Sequence, residues 1–349
     1  MPLFSHTYLR KHLRKYLHAA GVDAVTAGEV ADNLVDSSLK GHDSHGVTLI
    51  PRYIKAIHAG ELDPKATLQL TRDAGAILSF HGCNGFGQVL GRQAMEQAIL
   101  RVKEFGVCIM GLSHTHHLGR IGAWAEQATA AGLVSVHFAN VGSRSMVLPF
   151  NGVSPRFGTN PFCIGVPVAD SSPLVLDFAT SMIAGNKARI AWNEGRELPP
   201  NCAVDNNGQP TRDPRWLMEE PLGALLAFGT HKGSGLALMC SLLGAAITGG
   251  ETESSPPPQG PGIINNMLSI VFDPTLLGAG ENYTQAVTRM LEWTRTSRDD
   301  DQLLLPGDAE QQHYHERLEH GIEIDDVNWQ QFISLEETFF QSNHSVSEV

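Results

Sequence analysis

The residues best suited to chemistry fall in two short stretches, Gly-His-Asp-Ser-His-Gly at 41–46 and Ser-His-Thr-His-His-Leu-Gly-Arg-Ile-Gly at 113–122. They hold His42, His45, His114, His116 and His117 in two glycine-flanked loops, each opening toward an expected helix. Histidine is the side chain whose unperturbed pKa lies nearest neutrality, so it can give or take a proton there. Glycine lets the backbone approach a ligand closely. A packed core has no use for that composition twice, and the pair points to proton transfer. A rival use of the second stretch is metal-dependent hydrolysis with His114, His116 and His117 as ligands. That run offers no carboxylate at a recognised ligand spacing.

The elements around the loops follow from periodicity and punctuation. Ser5 can cap a basic amphipathic helix over 7–20, and Thr26 a second helix through 39. A third follows His45, with Pro51 in its first turn and Leu49, Ile50, Tyr53, Ile54 and Ile57 facing inward. Strands are expected over 67–71 and 76–80, then a long helix over 87–105 and a strand over 107–112 that delivers the second histidine loop. That is the carboxyl end of a strand, where open α/β sheets place ligands. A helix over 123–131 and strands over 133–139, 162–166 and 174–178 come next. The polar, glycine- and proline-rich stretch 186–217 is expected to be a long ordered loop. A helix from Gly233 through Ile247, a proline-rich loop over 251–262, a strand over 268–272, a helix over 282–296 and a partly helical polar tail complete the chain.

The totals set limits. The 349 residues suffice for two or three packed units, and 42% hydrophobic with 18% charged residues is ordinary for a soluble globular protein. The net charge of −12 argues against a phosphate-backbone partner, because no broad basic face can form. Cys83, Cys108, Cys163, Cys202 and Cys240 are odd in number and widely spaced. They make neither a disulfide framework nor a zinc knuckle and fit a reducing, cytoplasmic setting. The N-terminus lacks the apolar stretch of a secretory signal. No apolar run reaches membrane-spanning length.

The dinucleotide fingerprint Gly-x-Gly-x-x-Gly is absent. Gly229-Thr-His-Lys-Gly-Ser-Gly235 instead joins Lys232 to glycines at a helix start, where free N–H groups and the helix dipole favour a phosphate. Five ordered motifs then carry a resemblance: Asp-Ser-His-Gly-Val at 43–47, His-Leu-Gly-Arg-Ile-Gly at 117–122, Phe-Gly-Thr-Asn-Pro-Phe at 157–162, Leu-Asp-Phe-Ala-Thr-Ser at 176–181 and His-Lys-Gly-Ser-Gly-Leu-Ala-Leu at 231–238. Along nearly its whole length the chain resembles the type 2 malate/L-lactate dehydrogenases, the L-sulfolactate dehydrogenase-like family.

The resemblance implies an α/β, L-sulfolactate dehydrogenase-like fold: a non-Rossmann NAD(P)-binding arrangement with a mixed sheet flanked by helices. It divides the chain into an N-terminal helical part, 1–75, packing with 300–349, and an α/β cofactor-binding part over 76–299. It implies a homodimer using NAD or NADP to interconvert 2-oxo and 2-hydroxy acids, with no metal. His45, Gly119, Arg120 and Ile121 would meet the cofactor. So would Val175, Leu176, Asp177, Phe178 and Ala179, then His231, Lys232 and Asn265, and finally Gly307, Asp308, Ala309 and Glu310.

Within that frame His45 is the favoured acid/base, oriented by Asp177, with His117 holding substrate or sharing the relay and Ser44 bonding the substrate oxygen. Many relatives carry an arginine four residues after the motif histidine, for the substrate carboxylate; here that residue is Leu49. Arg120 is the first expected substitute, with Arg52 and Arg144 behind it. A leucine in the pocket would suit larger or aromatic 2-oxo acids of the phenylpyruvate kind. Within the same fold, reduction of a cyclic ketimine (piperideine- or pyrroline-2-carboxylate) is the nearest alternative.

Overall fold

The computed structural model describes residues 2–257, 259–260, 262–298 and 302–338. Helix α1 (His6–Ala19) starts where Ser5 is extended and its Oγ accepts the Tyr8 N–H. Helix α2 (Ala24–Leu39) starts earlier than expected, at Asp23 rather than Thr26. The Asp23 carboxylate accepts the N–H groups of both Val25 and Thr26, satisfying two donors that would otherwise go unpaired. Helix α3 (Ile50–His58) carries Pro51 in its first turn. Leu13, Leu17, Leu34, Leu39, Leu49 and Tyr53 from this region close one apolar core with Ile322, Ile324 and Phe332. Helices Asp308–His320 and Asp326–Glu336 carry the chain back to it, while residues 339–349 lie outside the described part.

Seven strands form one mixed sheet: β1 (Gln69–Ala74), β2 (Ile77–His81), β3 (Val107–Thr115), β4 (Val134–Gly142), β5 (Phe162–Val166), β6 (Leu174–Phe178) and β7 (Ile264–Phe272). Their order across the sheet is β1-β2-β3-β7-β4-β5-β6. Strands β2 and β3 are parallel, joined through helix α4 (Gly87–Phe105), as a parallel pair requires. The other neighbours are antiparallel. This is the mixed α/β sheet flanked by helices that the resemblance implies. Alternation along β3 sends Cys108, Met110 and Leu112 into a core with Ala94, Met95 and Ala98 of α4 and Trp124 and Ala125 of α5 (Gly122–Ala130). Gly111 points the other way, where an added Cβ would meet Thr248, which follows helix His231–Cys240 and its π-helical continuation Ser241–Ala246.

The register gathers the chemistry on one edge. The carboxyl ends of β3, β4 and β6 lie beside the amino ends of β5 and β7, so Thr115 pairs with Asn265 and Asn265 with Val141. Three boundaries differ from expectation. Strand β3 extends to Thr115, so His114 belongs to the strand rather than the loop. Strand β7 begins at Ile264 rather than at 268. Residues 186–217 are not one long loop. Helix α6 (Gly185–Asn193) opens the segment, followed by the two-residue strands Ala203–Val204 and Pro210–Thr211 and a helical turn, Arg215–Met218. Helix α6 has no side-chain N-cap to announce it, and it is held by burial of Ala188 and Ala191 with Leu198, Cys202 and Leu217.

Candidate active site

The two histidine loops meet. The rings of His45 and His117 stack with centroids 5.5 Å apart and planes 16° from parallel. They form part of the wall of a cavity of about 640 Å³, within the range of small-molecule sites. Ser44 Oγ lies 2.9 Å from His45 Nδ1. Gln88 Nε2 donates to Tyr53 Oη at 2.8 Å, leaving the Tyr53 hydroxyl to donate to His117 Nδ1 at 2.6 Å. With Nδ1 an acceptor, the proton of neutral His117 sits on Nε2. Leu118 N donates to Asn265 Oδ1 at 2.8 Å, while Asn265 Nδ2 bonds the Asn140 carbonyl, and these bonds fix the turn after His117.

Helix α4 seals the back of this turn through a residue without a side chain. A Cβ built on Gly87 would lie 2.5 Å from the His117 carbonyl oxygen and 2.6 Å from Leu118 Cα, both backbone atoms. Gly87→Ala should cost about 1–3 kcal/mol, as overpacking does. Denaturant titration would measure that loss, and kcat should fall with it as His117 is displaced.

Electrostatics favour neutral rings. Burial first, then the charges of His42, Arg120 and Lys187, pulls His45 down to about 3. Burial and Arg52 take His116 to about 3. Burial, His45, His116 and Arg52 hold His117 well below the ordinary range. Asp177 is raised mainly by burial, against the pull of Arg120.

Ser44, His45, Arg52, His117, Gly119, Arg120, Ile121, Asp177, Phe178, Ala179, Asn265 and Glu310 all line the cavity. Val175, Leu176, His231, Lys232, Gly307, Asp308 and Ala309 are not among its lining residues. Gly307 and Asp308 line a separate concavity of about 480 Å³ with Arg295, Arg298 and Pro306. His231 sets its ring edge-on to Phe150, 5.8 Å away.

Three role expectations change. Asp177 does not reach His45: its Oδ2 accepts the Gly122 N–H at 2.7 Å, capping α5, and Ser44 is the group bonded to His45 instead. Arg120 lines the cavity but already pairs with carboxylates of the chain. It is 2% exposed and bonds Glu126 at 2.6 Å, with Asp36 at 3.8 Å. Lys40 reaches the same two carboxylates, so a buried charge cluster already holds this arginine. Leu49 is fully buried in the α1–α3 core and does not line the cavity, so it cannot shape a substrate pocket. The apolar lining comes from Met146, Met182, Ile183, Leu217, Met218 and Ile263.

The histidine metal cluster also dissolves. His114 stacks on His81, His116 packs edge-on to Tyr53, and His117 faces His45. Among the described residues no three His, Cys, Asp or Glu side chains converge on a metal-sized point.

Sequence reasoning missed Asn186, Lys187 and Arg189 of α6, which line the cavity. Asn186 Nδ2 donates to the Ser44 carbonyl at 2.6 Å and ties α6 to the first histidine loop. The polar run at 186–189 was the available signal, masked by the glycines and prolines that follow. Tyr53 was read as core, which it is, but its hydroxyl faces His117.

Paired histidines in a cavity lined by several cations, at the edge of a mixed sheet, form a geometry suited to proton transfer. The chain belongs to the malate/L-lactate dehydrogenase family, whose family model matches residues 4–333. It is 41% identical over 335 residues to hydroxycarboxylate dehydrogenase B of Escherichia coli K12, covering 94% of this chain and 91% of that protein. It is 35% identical to the Δ1-pyrroline-2-carboxylate/Δ1-piperideine-2-carboxylate reductase of Pseudomonas syringae pv. tomato, covering 92% of each. The solved sulfolactate dehydrogenase of Methanocaldococcus jannaschii superposes with a TM-score of 0.85 at 30% identity, covering 97% of both chains.

Proposed function

We propose that this enzyme reduces 2-oxo acids to 2-hydroxy acids, and runs the reverse reaction, with NAD or NADP as hydride carrier. The observation that carries the proposal is the stacked His45–His117 pair on the cavity wall, with its outer nitrogens fixed by Ser44 and Tyr53. The bound nicotinamide supplies or accepts the hydride at the carbonyl carbon. The lining fits such a group. Cationic Lys187 and Arg144, amide-bearing Asn140 and the side-chain-free Gly119 lie along it, with Glu310 also part of the lining.

His117 Nε2–H donates a hydrogen bond to the carbonyl oxygen and stabilises charge growing there. His45 takes up a proton once the substrate's negative charge is bound beside it, and gives that proton to the oxygen as it becomes an alkoxide; in the oxidation direction the neutral ring takes the proton from the hydroxyl. Asp177 acts through the backbone, holding the start of α5 and with it the Gly119–Ile121 turn. The methionine- and isoleucine-rich lining supports larger or aromatic side chains on the acid. The test is an assay of small and aromatic 2-oxo acids with NADH and NADPH. Turnover of none would refute the proposal.

Identity with the Pseudomonas reductase supports a second reading, reduction of a cyclic C=N bond. Piperideine- and pyrroline-2-carboxylate in the same assay separate the two: the oxo acids should give the larger kcat/KM.

The lowered proton affinity of His45 fixes a pH dependence. Oxidation needs the neutral ring, so kcat/KM for a 2-hydroxy acid should show no acid limb near the ordinary histidine pKa of about 6.5. A limb there would contradict the neutral ring.

We also propose that the enzyme works as a homodimer. Leu238, Met239, Leu242 and Ile247 stand exposed along helix His231–Cys240 and its continuation, Ile247 by 67%. Leu242→Glu should convert the dimer to a monomer in sedimentation.

A further inference from the structure

Arg189 lines the cavity and carries a guanidinium with two unpaired donors. Its Nε and Nη2 are buried and have no hydrogen-bond partner among the described residues. Burying a guanidinium with unpaired donors is costly, so such a site calls for an anion. The carboxylate whose charge reaches it is Asp325. Its two oxygens accept the backbone N–H and the side-chain amide of Asn328 at the start of helix Asp326–Glu336. Among the described residues neither oxygen bonds the two Arg189 donors.

The fold sets where Arg189 lies. Asn186 bonds the Ser44 carbonyl, which pins the first turn of α6 against the loop that bears His45. Arg189 lies three residues further on, on the same face of the helix, and lines the same cavity. Arg52, on α3, lines it too, and the two guanidinium charges repel each other closely enough for Arg189 to weaken Arg52's hold on its proton. An anion bound between them would relieve that repulsion. Arg120, the other buried arginine of the cavity, is neutralised by Glu126.

We propose that Arg189, from α6, together with Arg52, from α3, holds the carboxylate of the substrate and so orients the neighbouring carbonyl toward His45 and His117. The proposal rests on the 2-oxo acid reading for the identity of the ligand, but not for the existence of the anion site. It makes α6 the element that reads the acid, in place of the missing arginine at position 49. A planar guanidinium clamps a carboxylate through two parallel N–H···O bonds, which lysine cannot reproduce.

The test compares wild type with Arg189→Met and Arg189→Lys. Oxalate serves as an inert two-carbon probe, measured by calorimetry on the protein with NADH bound. Oxalate should bind roughly 10–100-fold more weakly to Arg189→Met, the loss expected for a charged hydrogen-bond partner. Arg189→Lys, which keeps the charge and the bulk, should recover part of that affinity. KM for a 2-oxo acid should rise by a similar factor with kcat changed far less. The corresponding 2-oxo amide, lacking the negative charge, should be turned over equally by wild type and Arg189→Met. NADH affinity, read by its fluorescence, should be unchanged in both variants.

Unchanged oxalate affinity in folded Arg189→Met overturns the proposal, as does equal loss for the acid and the amide. A fall in NADH affinity with oxalate unaffected also overturns it and makes Arg189 a cofactor contact. If wild type binds oxalate through Arg189 yet reduces no 2-oxo acid, the carboxylate site stands and the catalytic reading falls.

Discussion

Replacing His45 by glutamine should lower kcat for 2-oxo acid reduction by about 10²–10⁴-fold, the contribution of a positioned general acid. Glutamine preserves bulk and a hydrogen-bonding end beside Ser44, so the cavity and NAD(P)H affinity should persist. His117→Gln should also be slow, but for a different reason. It removes a neutral donor to the carbonyl oxygen rather than a proton source, so its pH–rate profile should keep the shape of the wild type while that of His45→Gln flattens. The two rings stack and influence each other's proton affinity, so the losses should not add in the double variant. Activity of His45→Gln within about threefold of wild type would remove His45 from proton transfer.

Acid lability should be the second large effect. His45, His116 and His137 are each drawn down to about 3, chiefly by burial, and His117 is also lowered. His137 lies inside the sheet, its two nitrogens bonded to Ser135 and Ser269. All four are neutral in the folded chain, while the unfolded chain takes up a proton on each below about pH 6.5. The unfolded state then binds more protons, so stability is intact above that pH and falls as the pH drops toward about 3. At about pH 5 each histidine of this kind lowers stability by roughly 2 kcal/mol. Asp177, whose proton affinity is raised by burial, works in the opposite direction and offsets part of the loss. Against a total stability of about 5–15 kcal/mol, three or four such groups bring unfolding into mildly acidic solution. Urea titrations from about pH 7.5 to about pH 5 should show a steep decline, with uptake of several protons on unfolding. A flat profile would mean that these rings are charged or open to water.

Much of the site was legible because its chemistry is local in sequence. Two glycine-flanked histidine stretches at strand and helix ends could be paired before any coordinates, and their His45 and His117 rings do stack. The mixed sheet followed from the family motifs. What could not be read was direction. Whether Arg120 faces substrate or Glu126 depends on a charge cluster drawn from α2 and α5, residues 36, 40 and 126. Asp177 lies in β6 next to the site, but a helix N-terminus claims its oxygens first. Leu49 sits four residues from His45, yet its side chain falls on the core side of the Val47–Leu49 turn. Helix α6 was missed for another reason. Its nine residues carry weak local signals, and it is held in place by long-range burial and by Asn186. The side chains it brings, Lys187 and Arg189, are therefore invisible to local patterning.

The most direct measurement uses reduced pyridine nucleotide with both C4 hydrogens replaced by deuterium, with a 2-oxo acid and the purified enzyme, and mass spectrometry of the product. A 2-hydroxy acid carrying one deuterium at C2, formed at normal rate by wild type and far more slowly by His45→Gln, is the predicted result. Product without deuterium, or no 2-hydroxy acid from any oxo acid offered, would contradict it.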